Sequence, residues 1–286
     1  MRWWWARTSL AFRRLIRKSS VPPARNILIC AGLDPSGGAG FIADCRVVTA
    51  CGGRPVGVVT AHTVQNTLGV HAVVGVDPSL LQQQLTALLD DVSVAAIKIG
   101  MLGSIDIARV VVAAAQRAAM PVIWDPVIMP TRGAIALFTG ELADTLALFA
   151  TLPNAVITPN TVELGALLGR TVEDGAAMRS AATELAERSG MHVLAKGGHL
   201  ASDNNQIVDI LVEHRNVAAS IHNFTAPRLA LPVGGVHGTG CALASALATY
   251  LGQGEPLPRA AQLAQTWVHQ HIAASVVPGA GAAAVV

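Results

Sequence analysis

The fold is decided by residues 26–61, which read NILICAGLDPSGGAGFIADCRVVTACGGRPVGVVTA. A short apolar run over residues 26–31 leads into a glycine-rich stretch, and residues 41–50 then carry apolar side chains at helical spacing. Residues 54–61 are again apolar and rich in β-branched side chains. Strand, loop, helix and strand in this order form the repeating unit of a parallel sheet, so this stretch predicts an α/β protein.

The same alternation continues along the chain. Apolar runs predict further strands at residues 95–99, 121–124, 155–157 and 192–195, and an antiparallel, more polar pair at residues 207–212 and 218–224. Helical spacing predicts helices at residues 78–89, 105–118, 161–168, 176–187 and 240–251, with a last helix through Trp267. Most predicted strands are apolar on both faces, as in a sheet covered by helices on both sides. We therefore expect a mostly parallel central sheet between two layers of helices.

The composition fits one large domain. The chain has 286 residues, of which 52% are hydrophobic and 13% are charged, which is enough to bury a single large core. Its four cysteines lack CxxC spacing and a nearby histidine pair, which argues against a disulfide framework and a zinc site. No apolar run reaches the roughly 18 residues that a membrane-spanning helix needs, so we expect a cytoplasmic protein without a transmembrane segment.

Residues 1–25 differ from the rest of the chain. They contain seven basic residues and no acidic residue, so the remainder is acidic overall, which argues against a nucleic-acid partner. Their composition suits a targeting sequence, with delivery to an organelle as the alternative location. A disordered extension or an upstream start codon explains them more simply. We divide the chain into this basic extension and one domain over residues 26–286.

Polar clusters follow the predicted strands. They lie at residues 32–40, 63–67, 100–102, 125–127, 158–163, 196–199 and 237–241. In parallel α/β sheets, ligands bind beyond the carboxyl ends of the strands. The clusters therefore predict the rim of an active site.

The turn at residues 237–241 reads His-Gly-Thr-Gly-Cys and opens a helix. Backbone N–H groups of Gly238, Thr239 and Gly240 at a helix N-terminus suit a phosphate or a developing anion, although a purely structural turn has the same appearance. Cys241 begins the helix, where thiol pKa values are commonly lowered. It is therefore a general base, a nucleophile or a small buried apolar residue.

Two further clusters suit phosphate and metal chemistry. Asn160 and Glu163 lie on one face of a first helical turn and suit a magnesium ion bound partly through water, or else a capping box. Lys196 is either a cation that reaches phosphate oxygens or an ordinary surface lysine. Asp125 at a strand end suits a metal or a lysine partner. Glycines at residues 37–40 form neither a Walker A loop nor a GxGxxG fingerprint, which argues against a nicotinamide enzyme.

Taken together, the motifs resemble the hydroxymethylpyrimidine and phosphomethylpyrimidine kinases of the ribokinase superfamily. The resemblance extends from residue 26 to about residue 252, and its segments occur in family order. They are Ala31 to Gly40 with Ala43-Asp44, Thr63 to Thr67, Lys98 to Leu102, Asp125 to Val127, Thr158 to Asn160 with Glu163, Lys196 to His199, and His237 to Cys241. The expected fold is therefore a ribokinase-like three-layer sandwich.

The resemblance implies transfer of the γ-phosphoryl group of ATP to 4-amino-5-hydroxymethyl-2-methylpyrimidine and then to its monophosphate, with Mg²⁺ and in a homodimer. The pyrimidine pocket would be lined by Gly32, Ala39, Asp44, Gln65 and Met101. Lys196 and Asn160 would bind ATP, and Glu163 with Asp125 would hold the metal. Gly238, Thr239 and Gly240 would form the anion hole. Many sugar kinases of the superfamily carry an aspartate base where this chain has Cys241, so the resemblance favours Cys241 as general base.

The match is imperfect at several positions. Leu33 and Val236 replace residues that are usually small or polar in the family, and Pro130-Thr131-Arg132-Gly133 lacks a lysine that would face the site. The chain also ends in an alanine and valine run in place of the family's usual close. Two alternatives stay open. One is a pyridoxal or pyridoxine kinase on the same fold, since some of these also carry cysteine at the turn, and the other is a catalytically weak pyrimidine-binding protein.

Overall fold

A nine-stranded sheet runs through a computed structural model that describes residues 24–128, 135–200, 205–215, 219–232 and 234–285. Its strands are β1 Asn26–Leu33, β2 Arg54–Asn66, β3 Gly69–Gly75, β4 Ala96–Ile99, β6 Val122–Trp124, β8 Val156–Ile157, β9 His192–Ala195, β10 Gln206–Glu213 and β11 Ser220–Pro227. Two short pairs join β5 Gly103–Ser104 to β7 Phe138–Thr139 and β12 Val236–His237 to β13 Ala283–Ala284. Most of the basic extension and the loop at residues 130–133 lie outside the described residues.

The strand order across the large sheet is β11-β10-β9-β8-β6-β4-β1-β2-β3. The six strands from β9 to β2 pair in parallel, while β10 and β11 at one edge and β3 at the other pair antiparallel. The carboxyl ends of the six parallel strands therefore meet at one edge of the sheet, which is the expected position of a binding site.

Helices cover both faces of this sheet. They are α1 Gly40–Ala50, α2 Pro78–Asp91, α3 Ile105–Ala118, α4 Leu142–Phe149, α5 Thr161–Leu168, α6 Gly175–Ser189, α7 Thr239–Gly252 and α8 Leu257–Ala273. Apolar residues of α2 to α6 pack in one buried cluster, and those of α1, α7 and α8 pack in a second cluster with the opposite side of the strands. The predicted three-layer α/β architecture is confirmed.

Small side chains allow α7 to lie close to the sheet. Ala244, Ala246 and Ala248 are completely buried, and a Cβ atom on Gly252 would lie 2.6 Å from Ile27 Cδ1 of β1. Because alanine and glycine add so little width, the helix backbone approaches the strands closely. None of the helices within the described ranges is long and apolar enough to cross a membrane.

The structure adds several elements to the sequence expectation and extends one. Strand β2 continues to Asn66, so the predicted loop at residues 63–67 belongs largely to a β2–β3 hairpin. Its polar side chains alternate between the cleft and solvent, because only one face of this edge is covered. Helix α4 and strands β3, β5, β7, β12 and β13 were not predicted from the sequence. All except β3 are short and lack a clear period.

One ion pair is fully buried between sheet and helices. Lys98 Nζ in β4 lies 2.6 Å from Asp44 Oδ2 in α1, and neither side chain is exposed. Ser245 of α7 donates a 2.8 Å hydrogen bond to Asp44 Oδ1. Burial alone would lower the pKa of Lys98, but the charge of Asp44 outweighs it and raises that pKa above its usual range. The ion pair therefore joins one strand to two helices.

We expect Lys98→Met to lower the free energy of unfolding by about 3 kcal/mol or more, because it leaves the Asp44 carboxylate buried without its cation. The double variant Lys98→Met/Asp44→Leu removes both charges and should recover most of the loss. Urea denaturation measures both effects. The control is Arg109→Met, which breaks an exposed ion pair with Asp106 and should leave stability nearly unchanged. Equal losses in Lys98→Met and Arg109→Met would contradict this account.

Candidate active site

A cleft of about 480 Å³ opens at the carboxyl ends of the parallel strands. Nearly all of the residues that the sequence singled out lie on its walls. They are Gly32, Ala39, Gln65, Met101, Asp125, Asn160, Glu163, Lys196, Gly238, Thr239, Gly240 and Cys241. Residues from seven separate segments of the chain thus meet in one site.

Asp44 is the exception among the predicted site residues. Its side chain is completely buried, and its two oxygens are bound to Lys98 and Ser245. The expectation that Asp44 lines the pyrimidine pocket is corrected here, because Lys98 takes the place at the cleft wall and Asp44 lies behind it. Asp44 thus holds Lys98 in its position at the cleft wall.

The turn before α7 fits the anion role. Gly238 has φ +79°, and a Cβ atom at this position would lie 2.0 Å from the Gly38 carbonyl oxygen, so glycine is required for both conformation and contact. No side chain caps the helix that starts at Thr239. Its first N–H groups are therefore available to an anion in the cleft, at the positive end of the helix dipole.

The half-buried Cys241 thiol lies among charged groups of the cleft. Burial raises the pKa of this thiol to about 12, with Lys98 opposing the rise and Asp125 and Asp44 adding to it. The expectation of a lowered thiol pKa at the start of this helix is therefore wrong, because desolvation and two carboxylates outweigh the helix terminus. The thiol is protonated at neutral pH.

Lys196 lies between two acidic side chains. Its Nζ atom is 2.8 Å from Asp125 Oδ1 and 3.8 Å from Glu163 Oε2. Burial would raise the pKa of Asp125, but Lys196 and Lys98 outweigh it and hold that pKa below its usual value. Burial raises the pKa of Glu163 to about 7, with Lys196 opposing and Asp125 adding to the rise. Asp125 is therefore ionised at neutral pH, whereas Glu163 is close to its titration midpoint.

Asn160 and Glu163 form the capping box that the sequence offered as an alternative. Asn160 Oδ1 accepts hydrogen bonds from the backbone N–H groups of Val162 and Glu163, both at 2.9 Å. In return, Glu163 Oε2 accepts a 2.8 Å hydrogen bond from the Asn160 backbone. This arrangement starts α5 and holds the Glu163 carboxylate in the cleft, so the capping role and a metal role are compatible.

The acidic side chains suit a magnesium ion that takes its remaining ligands from substrate phosphates and water. Across the described ranges, no three histidine, cysteine or carboxylate side chains are grouped so that they could hold a metal by themselves. Asp125 Oδ1 already accepts hydrogen bonds from Lys196 and from Thr158, so the lysine partner considered for Asp125 is present. One or two carboxylates suit Mg²⁺ when substrate phosphates and water supply the other ligands.

Sequence reasoning missed Asp34 on the wall of the cleft. Asp34 Oδ1 accepts a 2.8 Å hydrogen bond from the Ser36 backbone, and Asp34 Oδ2 accepts one of 3.1 Å from the Ala39 backbone. It thereby shapes the glycine-rich loop. The signal was present in the sequence, because aspartate before Pro-Ser-Gly is typical of a turn closed by the aspartate side chain.

Sequence reasoning also missed Asp209 and Gln265 on the opposite wall. Asp209 Oδ1 accepts a 2.9 Å hydrogen bond from the Gly197 backbone, next to Lys196. Gln265 Nε2 lies 3.0 Å from Asp209 Oδ2 and 2.8 Å from the Phe224 carbonyl oxygen. These residues lie in β10 and α8, away from any glycine-rich motif, and only the fold brings them to the cleft.

The chain is similar in sequence to kinases and to larger proteins of thiamine biosynthesis. It is 35% identical to the hydroxymethylpyrimidine/phosphomethylpyrimidine kinase of Mycobacterium leprae, over 85% of this chain and 86% of that protein. It is 38% identical to the thiamine biosynthesis bifunctional protein of Geobacter sulfurreducens, over 86% of this chain. The chain spans only about half (49%) of that larger protein.

Solved structures share the fold. The phosphomethylpyrimidine kinase of Clostridium difficile matches with a TM-score of 0.71 and 29% identity, over 87% of this chain and 99% of that chain. The pyridoxal kinase of Staphylococcus aureus, solved with pyridoxal, matches with a TM-score of 0.78 and 25% identity, over 93% and 94% of the two chains.

The phosphomethylpyrimidine kinase family model matches residues 34–286, which include the glycine-rich loop, the capping box and the turn before α7. This match covers most of the chain and agrees with the relatives and with the fold. The resemblance drawn from the motifs is therefore confirmed, and the chain belongs to the phosphomethylpyrimidine kinase family.

Proposed function

We propose that the protein transfers the γ-phosphoryl group of ATP to 4-amino-5-hydroxymethyl-2-methylpyrimidine and then to the resulting monophosphate, as a step of thiamine biosynthesis. The observation that carries the proposal is a single cleft that joins an uncapped helix N-terminus and Lys196 to the Gln65 side chain. The first two groups suit phosphates, and an amide suits a heterocycle with hydrogen-bonding edges. Relatives named as kinases for this pyrimidine support the same assignment.

The pyrimidine binds between Gly32, Ala39, Gln65 and Met101 in this proposal. A Cβ atom on Gly32 would lie 2.9 Å from Met101 Sδ, so the glycine leaves space beside the thioether. Such a narrow, mostly apolar space suits a flat ring, and Gln65 supplies one donor and one acceptor for its polar edge. Asp44 does not contact the pyrimidine in this arrangement.

The phosphates of ATP bind on the other side of the same turn. Lys196 contributes a permanent positive charge, because Asp125 and Glu163 raise its pKa despite burial. Asn160 and Glu163 lie at the start of α5 next to this lysine. Asp125 contacts the same lysine. A magnesium ion bound with ATP would supply charge neutralisation at the phosphates, and Glu163 is the side chain placed to bind it.

Phosphoryl transfer joins the hydroxymethyl oxygen to the γ-phosphorus and breaks the bond between that phosphorus and the bridging oxygen of ADP. The hydroxyl proton passes to Cys241 Sγ in its thiolate form. Because the thiol pKa is about 12, the thiolate is a minor but strongly basic species at neutral pH. This demand is modest, since the transition state of phosphoryl transfer depends mainly on positioning and charge stabilisation.

The test of the proposed function is a coupled ADP-release assay on the full chain. We expect ATP-dependent turnover with the pyrimidine alcohol and with its monophosphate. Pyridoxal serves as the competing substrate, and we expect a lower kcat/KM for it, since the likeness to pyridoxal kinase is one of fold. Absence of turnover with both pyrimidines would contradict the proposal, and preference for pyridoxal would replace it with the vitamin B6 reaction.

We expect Cys241→Ala to lower the single-turnover rate by about 10²-fold, in the range of general-base effects, with little change in ATP affinity. In the wild type this rate should rise from pH 7 to pH 9, because the thiolate fraction grows with pH below a pKa of about 12. The variant should lose this rise. Cys51→Ala, a buried cysteine outside the cleft lining, is the matched control. An unchanged rate in Cys241→Ala would remove Cys241 from the mechanism.

A further inference from the structure

One ring nitrogen of His237 faces two polar groups at once. His237 Nε2 lies 3.3 Å from the end of the Gln65 amide that occupies the Nε2 position of Gln65. The same ring nitrogen lies 3.4 Å from Asp34 Oδ2. His237 belongs to β12, Gln65 to β2, and Asp34 to the loop after β1. The histidine therefore joins three segments of the pyrimidine side of the cleft.

The hydrogen-bond partners of the Thr63 hydroxyl group determine the orientation of the Gln65 amide. The Thr63 hydroxyl oxygen lies 2.9 Å from the Leu33 carbonyl oxygen and 3.1 Å from the other end of the Gln65 amide. The Leu33 carbonyl can only accept, so the single hydroxyl proton goes to it. Thr63 must then accept a hydrogen bond from Gln65, which places the amide NH₂ group beside Thr63. The two ends of an amide have the same shape, so its hydrogen-bond partners determine which end is oxygen.

The amide oxygen of Gln65 then faces His237. His237 Nε2–H can donate to this oxygen and to Asp34 Oδ2 together, and every group in the network has a partner. In the opposite orientation the amide NH₂ would donate to an unprotonated His237 Nε2, whose lone pair would also face the Asp34 carboxylate. Two acceptors would then stand 3.4 Å apart. The network is complete in only one of the two orientations.

Asp34 is itself held in place. Its first oxygen accepts from the Ser36 backbone and hydroxyl, at 2.8 and 2.7 Å, and its second accepts from the Ala39 backbone. Burial would raise the pKa of Asp34, but hydrogen bonds from His237 and Ser36 outweigh it and lower that pKa. An ionised and immobile Asp34 calls for a donor at His237 Nε2.

The C-terminal segment contacts both the turn after β2 and strand β12. Gly281 and Ala282 donate backbone hydrogen bonds of 3.1 Å to the Thr67 hydroxyl and carbonyl oxygens, two residues beyond Gln65. Ala284 pairs with His237 between β13 and β12. A Cβ atom on Gly281 would lie 1.8 Å from the Thr67 carbonyl oxygen, so this contact requires glycine. The segment therefore fixes the spacing between the backbones that carry Gln65 and His237.

We propose that His237 is a positioning residue that fixes the amide of Gln65 in one orientation, and that this makes the pocket select a 4-aminopyrimidine over its 4-oxo analogue. The inference rests on the proposed function. The amino compound offers a donor beside an unprotonated ring nitrogen, whereas the oxo compound offers an acceptor beside a ring N–H. A fixed amide matches one of these patterns and leaves unpaired groups against the other, while an amide free to turn accepts both.

The experiment compares kcat/KM for 4-amino-5-hydroxymethyl-2-methylpyrimidine with that for its 4-oxo analogue, in the full chain. The wild type should strongly prefer the amino compound. His237→Phe should lower the preference by about tenfold or more, mainly because kcat/KM for the oxo compound rises. This is expected when the hydrogen-bonding groups that reject one substrate are no longer fixed. His237→Gln retains a side-chain donor and should keep most of the preference. A merely structural role would lower both values by the same factor.

The outcomes separate the two proposals. Turnover of the amino compound with an unchanged preference in His237→Phe overturns the positioning role alone. Turnover of neither compound by the wild type overturns the proposed function and this inference with it. Long-range ¹H–¹⁵N spectra of histidine-labelled wild type provide a readout independent of activity. We expect His237 to carry its proton on Nε2, and a proton on Nδ1 alone would contradict the network.

Discussion

The site depends on a contact that only glycine permits. The loop after β1 and the turn before α7 meet where a Cβ atom on Gly238 would lie 2.0 Å from the Gly38 carbonyl oxygen. Within the loop after β1, a Cβ atom on Gly40 would likewise lie 2.3 Å from the Gly32 carbonyl oxygen. Both Gly40 and Gly238 also have φ between +60° and +79°, a region that other residues rarely adopt. Because the two loops touch backbone to backbone, the groups suited to a heterocycle and those suited to phosphate face the same cleft.

Buried charges determine what this cleft can hold. Lys98 and Lys196 are each fixed by carboxylates, and the Cys241 thiol lies near both lysines and Asp125. The arrangement has a cost in stability at Glu163. Its pKa in the folded protein, about 7, is above the usual value of 4.5, so the cost is absent at lower pH, grows between about pH 4.5 and pH 7 and is fully present above that range. Such a cost is typical of groups that are placed for binding or catalysis.

The sequence predicted the fold class and most of the cleft, because both depend on local signals. Apolar runs and helical spacing identified the central strands and helices, and glycine-rich or polar clusters marked the strand ends. Asp44 was misplaced because sequence spacing does not show that Lys98, on a strand far along the chain, stands between it and the cleft. The Cys241 pKa was misjudged for a related reason, since burial and the carboxylates that surround the thiol come from distant segments. Asp209 and Gln265 reach the cleft, and β13 reaches β12, through tertiary packing alone.

In the proposed function, the glycine contact between the two loops assembles the phosphoryl-transfer site. The most direct test is the initial rate of transfer of the labelled γ-phosphoryl group from ATP to the pyrimidine in Gly238→Ala, compared with Gly190→Ala. Both glycines have positive φ, but a Cβ atom on Gly190 would meet nothing within 4 Å. We expect Gly238→Ala to lose transfer and Gly190→Ala to retain it with a comparable fold. Equal transfer rates in the two variants would contradict this role of the glycine contact.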